Sequence, residues 1–236
     1  MKGRGMVVAV FVAIVSVFIL GVALAYEAVE VKGGGTITGK VKLAGNPPPP
    51  QVVQVGQDRE VCGKTQEIYE VEVKNEGVKN AVVRIVEIKK GKKFDFPETI
   101  LDQKGCVFIP HIVLVPPGKL TVVNSDPVSH NIHTYPTKSE SVNTVMTKLK
   151  RKTSLSLQSP ETIPVKCDQH GFMSAFIVVA EHPYYAVTGD AGGFELRDVP
   201  PGTYTLEVWH EKLGKRQQKV TVEAGKAVAV ELTYKK

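Results

Sequence analysis

Cys167-Asp168-Gln169-His170-Gly171-Phe172-Met173 is the stretch from which this chain is read. It sets a thiolate, an imidazole and a thioether within one short loop. A second imidazole, His130, stands upstream in Asn124-Ser125-Asp126-Pro127-Val128-Ser129-His130-Asn131. A short loop can bring Cys, His and Met to one metal, while a distant strand supplies the other His. Two such rigid elements hold a geometry that changes little when the metal changes its charge.

Two His, one Cys and a weak axial Met form the donor set of a blue-copper electron-transfer site. A lone C-x2-H can also be half of a zinc site. Structural zinc uses four His or Cys ligands in paired short spacings, and the sequence holds no second C-x2-C or H-x3-H pair. Another metal and a metal-free relative of the same fold remain the alternatives to copper.

At these residues the chain resembles the cupredoxins, the small blue-copper family that includes plastocyanin and amicyanin. C-x2-H-x2-M at 167–173 is the short loop of amicyanin, and Asn124-x-Asp126 with His130-Asn131 matches the pattern of the first His ligand. Phe108-x-Pro110, the apolar Ile112–Val115, Gly118 and residues 122–124 look like the strand pair leading into it. The resemblance spans roughly residues 103–181. It implies one mononuclear type 1 copper with His130, Cys167, His170 and Met173 as ligands. It also implies electron passage near His170, with Pro127, Val128 and Phe172 as candidates for an apolar patch. The partner it implies is a redox protein, such as a c-type cytochrome or a membrane oxidoreductase. Taken whole, the order of elements is similar to exported proteins described as methylamine-utilisation-like.

The first residues read as an export signal. Lys2 and Arg4 precede an uncharged run from Met6 to Tyr26, and Ala23-Leu24-Ala25 fits a cleavage site. The run is also nearly long enough to span a bilayer, so an uncleaved N-terminal anchor is the rival. Either way the remainder is expected outside the cytoplasm, in a periplasm or on the outer face of the membrane. Net charge is +6, or +4 without Lys2 and Arg4. The basic runs around Lys89–Lys93 and Lys148–Lys152 lack interleaved aromatics, which argues against nucleic acid. They could steer an acidic redox partner.

Three cysteines in an exported chain allow a count. If the metal takes Cys167, Cys62 and Cys106 can pair in an oxidising compartment. That bridge would close a loop of about 44 residues, worth roughly 4 kcal/mol on a chain-entropy model. Two separate buried thiols are the alternative. No C-x-x-C-H occurs, so this signature for covalent haem is missing.

From Gly33-Gly34-Gly35 onward the chain reads all-β. Thr36 to Leu43 alternates apolar and polar residues, and 71–73 and 81–86 read as further strands. Pro47 to Pro50 reads as an extended surface segment. Ala175 to Ala180 reads as a buried strand, and Thr134 to Lys152 as a polar surface excursion. The C-terminal run has Gly-Gly and Pro-Gly turns between alternating strands, and resembles the carboxypeptidase regulatory-like, transthyretin-like β-sandwich. That family opens with strands that here lie at 39–43 and 81–86, far from 182. The expected architecture is therefore a split sandwich, 36–90 with 182–236, enclosing a cupredoxin Greek-key sandwich at 98–181. The alternative is consecutive units, 36–181 and 182–236.

His133 stands at an odd offset from His130, so it should face the other way. His111, like His133, is read as a packing or surface residue, with a second metal role as the alternative, and His182 and His210 as structural. Asp126 reads as a turn residue, and Trp209 and Tyr204 as sandwich-core or half-buried aromatics. No Ser–His–Asp pattern, phosphate-cradling Gly loop or carboxylate pair stands out, and a binuclear copper centre would need another nearby Cys. The expected function is electron transfer rather than catalysis. The rivals are a copper chaperone or store, and a metal-free binding or structural module.

Overall fold

The computed structural model describes residues 26–235. The expected signal or anchor at 1–25, with its cleavage site, lies outside the described residues. No helix among the described residues is long and apolar enough to cross a membrane.

The chain is all-β, with one four-residue helix, Arg59–Cys62, among the described residues. Most of its strands form two packed pairs of sheets, and the rest form two short two-stranded sheets. In the first pair, a four-stranded sheet runs Phe108–Ile109, Ile100–Gln103, Gly118–Asn124, Lys152–Leu157. It faces a five-stranded sheet in the order Ile112–Val115, Ser174–Val179, Glu161–Lys166, His130–Thr134, Asn143–Met146. Leu101, Leu120, Val122, Ile132, Ile163, Val165 and Ile177 fill the space between them.

Period-two alternation delivers the candidate ligands to this core. Ile163 and Val165 point inward, so Cys167, the next residue in phase, does too. Ile132 and His130 share the inner face of their own strand. Met173 is in phase with the inward Ala175 and Ile177 of Ser174–Val179. On the opposite face of that strand, Phe176 and Val178 pack with Ile112, Leu114, Val82 and Trp209. Both faces of Ser174–Val179 are covered, which is why it reads as an unbroken apolar run.

The second pair of sheets draws strands from both sides of the first in sequence. One sheet runs Tyr185–Val187, Val82–Val86, Gly202–His210, Gly214–Val222. In the other, Gly35–Ala44 lies between Gly193–Val199 and Gly77–Val78 and also pairs in parallel with Ala227–Lys235. Ile37, Val41 and Leu43 face the core. At Gly39, on the same face, a Cβ would come within 2.5 Å of the Phe194 ring, so the missing side chain makes room for that aromatic.

Residues 51–68 leave this second unit. The hairpin of Gln51–Gln54 and Thr65–Ile68 carries Arg59–Cys62 across, and Val55 and Cys62 are buried in the first core. Cys62 is disulfide-bonded to Cys106, as the cysteine count anticipated. The 134–152 stretch differs from its expected role as a surface excursion. Asn143–Met146 pairs with His130–Thr134, and Met146 is fully buried opposite His130. Its alternation is masked because Asn143 and Val145 are exposed and Thr144 is only half-buried.

Two outcomes follow for measurement. Non-reducing peptide mapping should recover a single Cys62–Cys106 cross-link; free thiols at both positions would contradict it. A fragment of residues 182–236 lacks Gly35–Ala44 and Val82–Val86 and exposes unpaired edges. It should show no cooperative thermal transition, whereas the full chain should; cooperative unfolding of the fragment would refute this dependence.

Candidate metal centre

The turn that carries His130 is set by its own side chains. Asn124 Oδ1 accepts from the Asp126 N–H at 3.0 Å, and Asn124 Nδ2 donates to the carbonyls of Val128 (2.8 Å) and Met146 (3.0 Å). Asp126, 4 % exposed, accepts from the backbone N–H groups of Gly105 and Cys106 at 2.7 and 2.8 Å. Its Oδ2 lies 2.9 Å from His130 Nε2. These donors compensate the burial of the carboxylate. The reading of Asp126 as a turn residue therefore captured only part of its role.

The 167–173 loop closes on itself through Met173 N–H to His170 O (2.8 Å) and Cys167 N–H to Met173 O (3.3 Å). It brings His170 against His130. The two Nδ1 atoms are 3.0 Å apart, and Cys167 Sγ lies 3.9 Å from one and 4.0 Å from the other. The circle through these three atoms has a radius of about 2.1 Å, within the range of metal–imidazole and metal–thiolate bonds. His130, Cys167 and His170 are all buried. Met173 is buried too, in the same core as Cys167. Cys106, Asp126 and His130 also cluster, but Cys106 is committed to its disulfide and offers no thiolate.

The outer edges of both rings end on carboxylates. His130 Nε2 meets Asp126, and His170 Nε2 meets Asp58 Oδ2 at 3.1 Å. A ring that donates from Nε2 keeps its lone pair on Nδ1. Two such lone pairs at 3.0 Å repel unless a proton or a metal cation lies between them. The donor set thus fits a cation at the centre of the triangle.

The titration of the three groups follows the same geometry. Burial opposes charge on His130, but Cys167 and Asp126 beside it prevail and hold it above the ordinary histidine value. His170 is pushed down, first by burial and then by His130. Burial pushes the Cys167 thiol up, but His130 and the backbone N–H groups of Asn131, His170 and Gln169 outweigh it and favour the thiolate.

Asn131 ties the two halves together. Its backbone N–H points at Cys167 Sγ (3.5 Å), its Oδ1 accepts from the Asp168 N–H (2.7 Å), and its Nδ2 donates to Asn143 Oδ1 and Asp168 Oδ2 at 2.7 and 2.9 Å.

The remaining candidates lie elsewhere. His133 faces away from the triangle, binding the Asp168 carboxylate at 3.1 Å and stacking on Tyr135. His111 Nε2 meets Glu211 at 2.5 Å and its Nδ1 meets the Ser174 carbonyl at 3.1 Å. Pro127 is exposed and Val128 and Phe172 are half-buried, as an apolar patch would need. His170 itself does not reach that surface: its side chain is fully buried behind Asp58. Sequence reasoning missed Asp58, which no local motif connects to residue 170.

The carboxypeptidase regulatory-like domain model matches residues 170–235. Among solved structures, a purple cupredoxin from Nitrosopumilus maritimus is 18 % identical with a TM-score of 0.28, covering 31 % of this chain and 82 % of that one. A reduced Cu(I) variant of amicyanin is 19 % identical with a TM-score of 0.33, covering 42 % of this chain and 98 % of that one. A copper-containing nitrite reductase from Thermus scotoductus SA-01 is 17 % identical with a TM-score of 0.33, covering 41 % of this chain and 25 % of that one. No curated protein matches the chain.

In the metal-free protein, the Cys167 thiolate should form at a pH below the ordinary thiol value of 9.0. Thiolate ultraviolet absorbance across a pH titration checks this. A midpoint at or above that value would mean that burial prevails over the donors around the sulfur.

Proposed function

We propose that this chain is an exported electron carrier with one mononuclear type 1 copper, and that it is not an enzyme. The observation that carries this reading is the convergence of two imidazole lone pairs and a thiolate on one buried point. Bound there, copper would supply a one-electron Cu(I)/Cu(II) couple. His130, Cys167 and His170 would hold it, with the Met173 thioether as a further, weaker donor.

The residues around that point suit the task. Each ligand is set by a strand or by a loop closed between strands, so the donor triangle resists rearrangement. The Asn131 N–H beside Sγ withdraws charge from the sulfur, a lever on the potential. Burial of all three donors keeps water out. A copper chaperone would need ligands that an acceptor can reach, and buried Cys167 and His170 speak against rapid handover.

The same reading places the protein in the periplasm or on the outer face of the cytoplasmic membrane. It serves a redox protein there, such as a c-type cytochrome or a membrane oxidoreductase. It treats 98–181 as the copper-bearing unit, inserted in a sandwich built from 36–90 and 182–236. The parallel pairing of Gly35–Ala44 with Ala227–Lys235 supports that division.

Substitutions separate this reading from a generic metal site. Cys167→Ser replaces a soft thiolate by a hard hydroxyl, so the intense visible band of the copper-loaded protein should vanish. Met173→Leu should keep the colour and raise the reduction potential, because Cu(II) loses a donor. His111→Ala should leave the spectrum unchanged. A Cys167→Ser protein as intensely coloured as the wild type would refute the assignment.

A further inference from the structure

Asp58 occupies an unusual position. Its φ is +54°, a left-handed conformation that Asp tolerates better than most residues. It precedes the helix Arg59–Cys62, where an acid would ordinarily cap the first N–H groups, yet it makes no such bond. Its Oδ2 is 3.1 Å from His170 Nε2 instead, across 112 residues of sequence.

The segment around it is fixed on several sides. Val55 is fully buried, and Gln57 Nε2 donates to the Gln169 carbonyl at 2.9 Å, inside the 167–173 loop. Cys62, at the far end of the helix, is bonded to Cys106. The Cys106 N–H in turn donates to Asp126 Oδ2 at 2.8 Å, the oxygen that meets His130. One covalent bridge thus anchors the acids behind both imidazoles.

We propose that Asp58 is a positioning residue for the metal centre: its carboxylate fixes His170 with the proton on Nε2 and the lone pair on Nδ1, and closes the outer edge of that ring to solvent. This deepens the copper reading and rests on it only where the reduction potential is concerned. A carboxylate behind a ligating imidazole makes it a stronger donor, which favours the more highly charged metal. Removing the carboxylate should weaken metal binding and raise the potential.

Two substitutions in the full chain test this. Asp58→Gly deletes the carboxylate and suits a positive φ. Asp58→Asn keeps an acceptor and the backbone conformation but removes the charge. In zinc-loaded wild-type protein, nuclear magnetic resonance should show a slowly exchanging Nε2 proton on His170. Asp58→Gly should lose that slow exchange and bind zinc about 10–100-fold more weakly. Asp58→Asn should keep the slow proton while its affinity falls. If Asp58→Gly does not fold, Asp58→Asn carries the affinity test alone. In copper-loaded protein both variants should shift to higher potential.

The proposal is overturned if the His170 Nε2 proton exchanges as fast in the wild type as in Asp58→Gly. It is equally overturned if zinc affinity is unchanged in Asp58→Asn. A zinc-loaded ring that responds to Asp58→Gly in a protein that forms no blue copper centre would uphold the positioning role and defeat the copper reading. A blue centre with an unresponsive ring would do the reverse.

Discussion

Two imidazole nitrogens 3.0 Å apart, each turned toward the other by a carboxylate on the far side of its ring, set the problem that this fold solves. With Nε2 of each ring donating outward, the facing Nδ1 atoms both present lone pairs. That arrangement is stable only around a shared proton or a cation. Cys167 completes the triangle with a sulfur whose surroundings favour the thiolate. The site is therefore built to hold positive charge in a place where water does not reach.

The β-sandwich makes this possible by phase rather than by local flexibility. Cys167 and Met173 continue the inward phase of the strands that flank their loop, and His130 opens a strand in phase with Ile132. The loop between Cys167 and Met173 is too short to wander and is closed by two of its own backbone bonds. Behind it, Ser174–Val179 is packed on both faces, inward in the core that holds Cys167 and outward through Phe176 and Val178 against Val82, Ile112, Leu114 and Trp209. Displacing this strand would disturb two cores at once. The second sandwich thus stiffens the sheet from which half of the site hangs.

Much of this was legible in the sequence because it is local or periodic. The 167–173 motif, the Asn124-x-Asp126 turn and the all-β alternation need only neighbouring residues. The disulfide followed from a count of three cysteines with one reserved. Asp58 was not legible, since its partner is 112 residues away and its four-residue helix has no amphipathic period. Met146 was hidden for a different reason: between it and Val142 no side chain is buried, so the strand shows too few apolar positions to register as one. The covering of His170 was likewise invisible, because it depends on where the 51–68 excursion lands and not on the ligand loop itself.

The most direct test of the central claim is the X-ray absorption fine structure of the copper-loaded wild-type protein. Two nitrogen donors and one sulfur donor are expected in the shell around the copper. A shell made only of nitrogen and oxygen, with no sulfur, would contradict it.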